Sequence, residues 1–156
     1  MLNKKKIAIL GAGNMGDALV SGLIGSGSSA PKNIICTDVR QSKLDEFKLK
    51  YKVRTTSNNL KAVHEADIII YAVKPQILAS VLIETAPKLD MSKLVISIAA
   101  GVPLAAMETC VQKDLRLIRV MPNIAAAVKE AATAIAAGEH ATQEDVNLTM
   151  EIFSSI

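Results

Sequence analysis

The feature that most constrains this chain is a glycine-rich stretch, Gly11 to Gly16, which directly follows the apolar run Ile7 to Leu10. Its glycines, at positions 11, 13 and 16, have the G-x-G-x-x-G spacing that is typical of dinucleotide-binding turns between a strand and a helix. The first glycine allows a tight turn, the second lets the backbone approach a pyrophosphate, and the third brings the helix close to the sheet. An ordinary strand–turn–helix with convenient glycines is the alternative, so the interpretation depends on the rest of the chain.

Short apolar runs alternate with helical stretches along the whole sequence, a pattern typical of a parallel sheet with crossover helices. We predict strands at about 6–10, 33–37, around 53, 68–73, 94–98, 115–120 and 133–137, and a last helix from about Gln143 onward. The predicted fold class is therefore α/β: a Rossmann-like, doubly wound, mostly parallel sheet with helices on both faces. Half of the 156 residues are apolar, enough for one core, so we expect residues 1–156 to form a single NAD(P)-binding domain.

Composition argues against several classes of protein. The net charge is only +3, and without tryptophan the chain lacks an aromatic platform for stacking bases, so no nucleic acid is expected. No apolar run reaches the roughly 18 to 20 residues of a membrane span, and no signal-peptide pattern is present, which favours a cytoplasmic protein without a membrane partner. The spacing of Cys36, Cys110, His64 and His140 fits neither a disulfide framework nor a metal site.

Turns rich in glycine or proline follow three of the predicted strands, at Lys74-Pro75, Ala100-Gly101 and Pro122-Asn123. In an open parallel sheet, ligands bind in the crevice outside the carboxyl ends of the strands. We therefore expect these turns and the glycine loop to lie along one edge, although glycine and proline punctuate ordinary connections as well.

The end of the second predicted strand carries Asp38 and Arg40, whose side chains predict different cofactors. An acidic residue about 20 positions after the glycine loop can accept hydrogen bonds from the adenosine ribose of NAD. A guanidinium two positions later can instead pair with the 2′-phosphate of NADP. A turn residue and a solvated charge are the alternative, and the preference between NADP and NAD stays open.

At this point the sequence resembles the N-terminal half of pyrroline-5-carboxylate reductase, the last enzyme of proline biosynthesis. The resemblance rests on pieces that occur in the order and spacing of the family and span nearly the whole chain. They are Gly11 to Gly16, Asn59 placed before Asp67, Ala72-Val73-Lys74-Pro75-Gln76, Ser97 to Val102, and Arg119-Val120-Met121-Pro122-Asn123.

The resemblance implies an oxidoreductase that reduces the C=N bond of 1-pyrroline-5-carboxylate to L-proline with NADPH or NADH. It implies no metal, and no catalytic residue is assigned on this half of the family plan. Lys74 is the one titratable candidate, and we prefer a backbone role for it over proton donation. Asn123 is the candidate contact to the substrate or to the nicotinamide amide. The cofactor-binding residues implied are Gly11, Ala12, Gly13, Asn14, Met15, Gly16, Asp38, Arg40, Asn59, Ala72, Val73, Lys74, Pro75 and Ala100.

Two departures from the family pattern bear on these expectations. Ile124-Ala125 and Ala131 stand where the family usually has Thr-Pro and a glycine. The family also has a second, all-helical domain that makes the dimer and carries the substrate-carboxylate loop. We therefore expect this chain to be the cofactor-binding half, inactive alone, with a homo-oligomer formed by the full-length protein. We also expect the apolar residues of the last helix to be partly unshielded (Val146, Leu148, Met150, Ile152 and Phe153).

Other functions are also compatible with the same residues. A non-catalytic NAD(P)-sensing Rossmann module would share the glycine loop, although it has no need of the Val73-Lys74-Pro75 and Met121-Pro122-Asn123 pieces. A related imine or β-hydroxyacid reductase would keep the fold and cofactor and change the substrate.

Overall fold

A computed structural model describes residues 2–122 and 133–156, which form one mixed sheet covered by helices. The sheet has seven strands in the order β3-β2-β1-β4-β5-β6-β7. The strands are β1 (Ile7–Leu10), β2 (Ile34–Thr37), β3 (Arg54–Thr56), β4 (Ile68–Tyr71), β5 (Leu94–Ser97), β6 (Arg116–Pro122) and β7 (Thr133–Ala137). The helices are α1 (Asn14–Gly25), α2 (Gln41–Tyr51), α3 (Asn59–Glu65), α4 (Pro75–Thr85), α5 (Leu104–Val111) and α6 (Gln143–Phe153).

The strand order confirms the predicted doubly wound sheet. From β1 the chain builds outward to β2 and β3 on one side and then returns to β4, β5 and β6 on the other, all in parallel. Among the strands that the structure describes, only β7 runs antiparallel, beside β6, with Val120 opposite Ile135. The point where the order reverses lies between β1 and β4, which is where open α/β sheets bind ligands.

The central strands are buried on both faces, which explains why their sequences are continuous apolar runs. Alternate residues of each strand therefore contribute to two cores. Ile9 and Ile70 pack with α1 and α6 on one face. Ile69 and Val95 pack with α3, α4 and α5 on the other.

Two local predictions differ from the structure. The strand predicted to run through Val73 ends at Tyr71, because the chain then turns toward Lys74, which precedes the proline at the first position of α4. The expected exposure of α6 is wrong for most of its apolar residues, since Leu148, Ile152 and Phe153 are buried in the core and Val146 packs against it. Met150 alone is largely exposed, at 56%.

The packing of α6 depends on a close approach to α1. A Cβ on Gly22 of α1 would lie 2.4 Å from the carbonyl oxygen of Ser155, just after α6. Glycine at this position lets the two helices meet, so α6 covers the sheet of this chain.

The described residues also bear on the predicted absences. Cys36 is buried and Cys110 is half-buried, and both are free thiols. Over 2–122 and 133–156, no group of histidine, cysteine and acidic side chains could hold a metal ion. In that same part of the chain, no helix combines the length and apolarity needed to cross a membrane.

Candidate cofactor-binding site

The carboxyl ends of β1, β2 and β4 open into a cleft of about 400 Å³. This is the edge at which the sequence predicts ligand binding. The cleft is lined by Leu10, Gly11, Gly13, Thr37, Asp38, Val39, Arg40, Ser57, Asn59, Ala72, Val73, Lys74, Ile77 and Val81.

Most of the predicted cofactor residues line this cleft. The others are placed as follows. Ala12, Asn14, Met15 and Gly16 belong to the loop and first turn of α1 rather than to the lining. Pro75 is the first residue of α4, beside Lys74. Ala100 is exposed in the turn after β5 and does not line the cleft. Asn123 lies outside the described residues.

A larger groove of about 770 Å³ lies between α2, β3 and α3. It shares no lining residue with the cleft. Neither the glycine loop nor the turns that follow β1 and β4 line it. Its charged lining, which includes Lys48, Lys52, Arg54 and Lys61, fits a solvated sheet edge, where lysines oppose edge-to-edge pairing.

The three glycines of the loop have different structural roles. Gly11 has a φ of +117°, and a Cβ there would lie 2.3 Å from the carbonyl oxygen of Ala72. A Cβ on Gly16 would lie 2.2 Å from the carbonyl oxygen of Gly11. The fold alone therefore requires glycine at these two positions. An added Cβ on Gly13 would meet nothing within 4 Å, so the space beside Gly13 is open to a ligand.

The N-terminus of α1 offers hydrogen-bond donors to that open space. Gly13 is the N-cap residue and supplies no side chain to accept from the first backbone N–H groups of the helix. Such N–H groups, together with the positive end of the helix dipole, bind phosphate groups. The site thus suits the pyrophosphate of a dinucleotide.

Asp38 and Arg40 form an ion pair directly after β2. The Arg40 Nε donates to Asp38 Oδ1 at 2.9 Å, and Nη2 donates to Oδ2 at 3.0 Å. The Asp38 side chain is only 7% exposed, whereas that of Arg40 is 54% exposed. Burial alone would raise the pKa of Asp38, but hydrogen bonds from Arg40 and from the backbone of Ala12 outweigh it and lower this pKa to about 2. The carboxylate is therefore ionised at neutral pH.

One wall of the cleft is formed by the end of β4 and the start of α4. Val73 and Ile77 give it apolar surface, and Lys74 is the N-cap residue of α4, where its side chain makes no capping hydrogen bond. Asn59, which also lines the cleft, is the first residue of α3, and the neighbouring Asn58 is the N-cap residue of that helix. The lining of the cleft thus combines apolar side chains with polar ones.

Arg119 of β6, for which the sequence predicts no role beyond its place in the Arg119 to Asn123 motif, has an unusual environment. The other arginines pair with carboxylates, as Arg40 does with Asp38. By contrast, the Nε of Arg119 is buried and has no hydrogen-bond partner. Its position on β6 is level with Ser97, the last residue of β5. The sequence signal for it was a cation between the apolar residues Ile118 and Val120.

Comparisons with known proteins identify the family of the chain. Residues 6–101, more than half of the chain, match the model of a family described as NADP oxidoreductase, coenzyme F420-dependent. The pyrroline-5-carboxylate reductase of Methanosarcina acetivorans is 46% identical over 155 residues, covering 99% of this chain and 57% of that protein. The chain thus spans about half the length of the curated relatives it matches.

Solved structures show the same relationship. A pyrroline-5-carboxylate reductase from Coxiella burnetii superposes with a TM-score of 0.93 and 35% identity, over 99% of this chain and 57% of that one. The Plasmodium falciparum pyrroline carboxylate reductase with NADP bound gives a TM-score of 0.86 and 28% identity, over 99% and 56%. The chain therefore belongs to the NADP oxidoreductase, coenzyme F420-dependent family, within which its similarity to pyrroline-5-carboxylate reductases extends over nearly its full length.

Proposed function

We propose that residues 1–156 are the cofactor-binding domain of a pyrroline-5-carboxylate reductase, which binds NADPH and contributes to the reduction of 1-pyrroline-5-carboxylate to L-proline. The observation that carries the proposal is the open space at Gly13, at the uncapped N-terminus of α1. The fold does not need a glycine there, but a pyrophosphate lying against the backbone does.

The cleft residues divide the proposed cofactor among them. Backbone N–H groups between Gly11 and Gly16 would hold the pyrophosphate at the start of α1. Arg40 would contact the 2′-phosphate of the adenosine ribose, with Asn59 on the adenosine side. The nicotinamide end would lie toward Ala72, Val73, Lys74, Pro75 and Ala100, held mainly by backbone atoms.

The bound NADPH would supply a hydride to the imine carbon of the substrate. An imine nitrogen is readily protonated, so the task of the protein is to hold the two rings in a reactive geometry. The apolar wall at Val73 and Ile77 would exclude water from one side of the nicotinamide end. Lys74 would act through its backbone, and Asn123 would contact the substrate or the nicotinamide amide.

The whole protein is proposed to work as a cytoplasmic homo-oligomer in which a second domain completes the substrate site. The second domain is supported by two relatives at 46% and 35% identity, both named pyrroline-5-carboxylate reductase and both covered only to 57%. The chain by itself is then expected to bind the nucleotide without turning over substrate.

The first test measures the binding of NADPH and of NADH to the 156-residue chain, with nicotinamide fluorescence as the signal. Gly13→Ala should weaken NADPH binding at least about tenfold, since its methyl group would occupy the space of the pyrophosphate. Gly25→Ala is the matched control, because an added Cβ at Gly25 also meets nothing within 4 Å. Equal binding by both variants would contradict the proposed site.

The second test is activity. The chain would be joined to the remaining portion of the Methanosarcina acetivorans relative, and oxidation of NADPH would be followed with 1-pyrroline-5-carboxylate. Turnover that is lost with Gly13→Ala supports the reductase. A chimera that folds and binds NADPH but reduces no imine would instead favour the non-catalytic sensing module.

A further inference from the structure

The carboxylate of Asp38 has no acceptor capacity left for a ligand. Its Oδ1 accepts from the backbone N–H of Arg40 at 2.8 Å and from Arg40 Nε at 2.9 Å. Its Oδ2 accepts from the backbone N–H of Ala12 at 2.9 Å and from Arg40 Nη2 at 3.0 Å. A carboxylate accepts about four hydrogen bonds, so a ribose hydroxyl would have to displace one of these.

The guanidinium of Arg40 is used on one edge only. Asp38 takes the edge formed by Nε and Nη2, and no hydrogen bond joins Nη1 to a described residue. The end formed by Nη1 and the second N–H of Nη2 stays available on a side chain that is 54% exposed beside the cleft. Two parallel N–H groups on a planar cation match the oxygens of a phosphate in a bidentate manner.

We propose that Asp38 is a positioning residue that holds Arg40 with its free edge toward the cleft, so that the pair recognises the 2′-phosphomonoester of the cofactor. In this arrangement Asp38 does not bind the ribose. The inference rests on the proposed function and adds to it the origin of a preference for NADPH over NADH.

The same carboxylate links this recognition to the glycine loop. Asp38 Oδ2 bonds to the N–H of Ala12, which lies between Gly11 and Gly13. The N–H of Gly11 in turn donates to the carbonyl of Thr37, directly before Asp38, at 2.9 Å. The loop and the end of β2 are therefore fixed to each other before any ligand arrives, which reduces the ordering cost of binding.

The test measures dissociation constants of NADPH and NADH for the wild-type chain and four variants: Asp38→Asn, Arg40→Lys, Arg40→Ala and the double variant Asp38→Asn/Arg40→Ala. Asp38→Asn should reduce the ratio of NADPH affinity to NADH affinity about tenfold, apart from any loss that both nucleotides share through the glycine loop. Arg40→Lys keeps the positive charge but lacks the two parallel N–H groups of the guanidinium, so this variant should also lose most of the preference for NADPH over NADH. In the Arg40→Ala background, Asp38→Asn should leave the ratio of the two constants unchanged.

Each other result overturns the inference. A larger loss for NADH than for NADPH with Asp38→Asn would make Asp38 a ribose ligand. A gain in NADPH preference would make it a repulsive charge. An equal effect with and without Arg40 would mean that it does not act through Arg40. These outcomes leave the proposed function intact as long as NADPH binding is sensitive to Gly13→Ala, whereas a folded chain that binds neither nucleotide overturns both.

Discussion

The carboxylate of Asp145 holds the start of α6 against the start of β6. Its side chain is 1% exposed and accepts from Arg116 Nε at 3.0 Å and Nη2 at 2.8 Å. It also accepts from the backbone N–H of Thr142 at 2.9 Å, which completes a capping box. Arg116 Nη1 reaches further, to the carbonyl of Met91 at 3.0 Å. We therefore predict that Asp145→Ala is among the most destabilising single substitutions in the chain.

The size of the effect follows from what the substitution leaves behind. Removing one partner of a buried ion pair costs about 3–5 kcal/mol, because the other charge stays desolvated. The Arg116 side chain is 24% exposed and would keep its bond to Met91, which places the expected loss near the lower end of that range. Since domains are stable by only about 5–15 kcal/mol, such a loss should lower the urea midpoint markedly.

The assay is urea unfolding at about pH 7, followed by circular dichroism, with the free energy of unfolding taken from the linear extrapolation. Asn58→Ala is the matched control, because Asn58 caps the exposed start of α3 by accepting from the N–H of Lys61 at 3.1 Å but forms no ion pair. Loss of that cap should cost about 1 kcal/mol. Replacing both charges, with Arg116→Met and Asp145→Leu together, should recover much of the loss, since no unpaired charge stays buried.

The reasoning would be refuted by a loss for Asp145→Ala no larger than that for Asn58→Ala. It would also be refuted if the double replacement were as unstable as Asp145→Ala alone. The first result would mean that the ion pair contributes little beyond the cap, and the second that the loss does not come from an unpaired charge left at Arg116.

Three further predictions concern the loop, the strand and acid stability. Gly16→Ala should both destabilise the chain and abolish NADPH binding, because its Cβ would lie 2.2 Å from the carbonyl oxygen of Gly11, whereas Gly25→Ala should do neither in the same urea and fluorescence assays. Arg119→Met should leave the free energy of unfolding unchanged or raise it, since it removes a partly buried cation without a hydrogen bond at Nε, and a urea-measured loss above about 1 kcal/mol would contradict this. The pKa of Asp38 is lowered from 3.8 to about 2, so the stability that its ionised carboxylate contributes is present above about pH 4 and is lost as the pH falls toward 2. In unfolding curves recorded across that range, Asp38→Asn should abolish this part of the pH dependence.

The doubly wound, mostly parallel sheet could be predicted because each central strand is covered on both faces. Ile68 to Tyr71 is apolar throughout, as burial on two sides requires, and the helical stretches between such runs specify parallel crossovers. The direction of β7 could not be predicted in the same way. The segment from Thr133 to Ala137 is short and mostly apolar, and such a pattern does not indicate the direction of a strand. Its antiparallel direction is fixed only by its pairing with β6, in which Val120 lies opposite Ile135.

The error about α6 has a different physical origin. An apolar stripe on a helix states that one face is buried, but not whether the covering surface belongs to the same domain or to another. Here the covering surface is the sheet and α1, and the close approach depends on the missing side chain at Gly22. A glycine inside an amphipathic helix was the only sign in the sequence that another segment packs closely there.

The candidate site shows the same limit at atomic scale. The sequence predicts that Asp38 and Arg40 lie at the carboxyl end of β2, but it leaves open whether they favour NAD or NADP. A residue type does not reveal which hydrogen bonds its side chain already makes, such as the one from Arg40 Nε to Asp38. The glycines of the loop are also identical in type, although Gly11 and Gly16 are required by contacts within the fold and Gly13 is not. Substitutions at Gly11 or Gly16 therefore confound stability with binding. The methyl group of an alanine at position 13 would contact no other residue of the chain and would extend only into the open space of the cleft. A loss of nucleotide binding in Gly13→Ala can therefore be attributed to the cofactor site rather than to a change in stability.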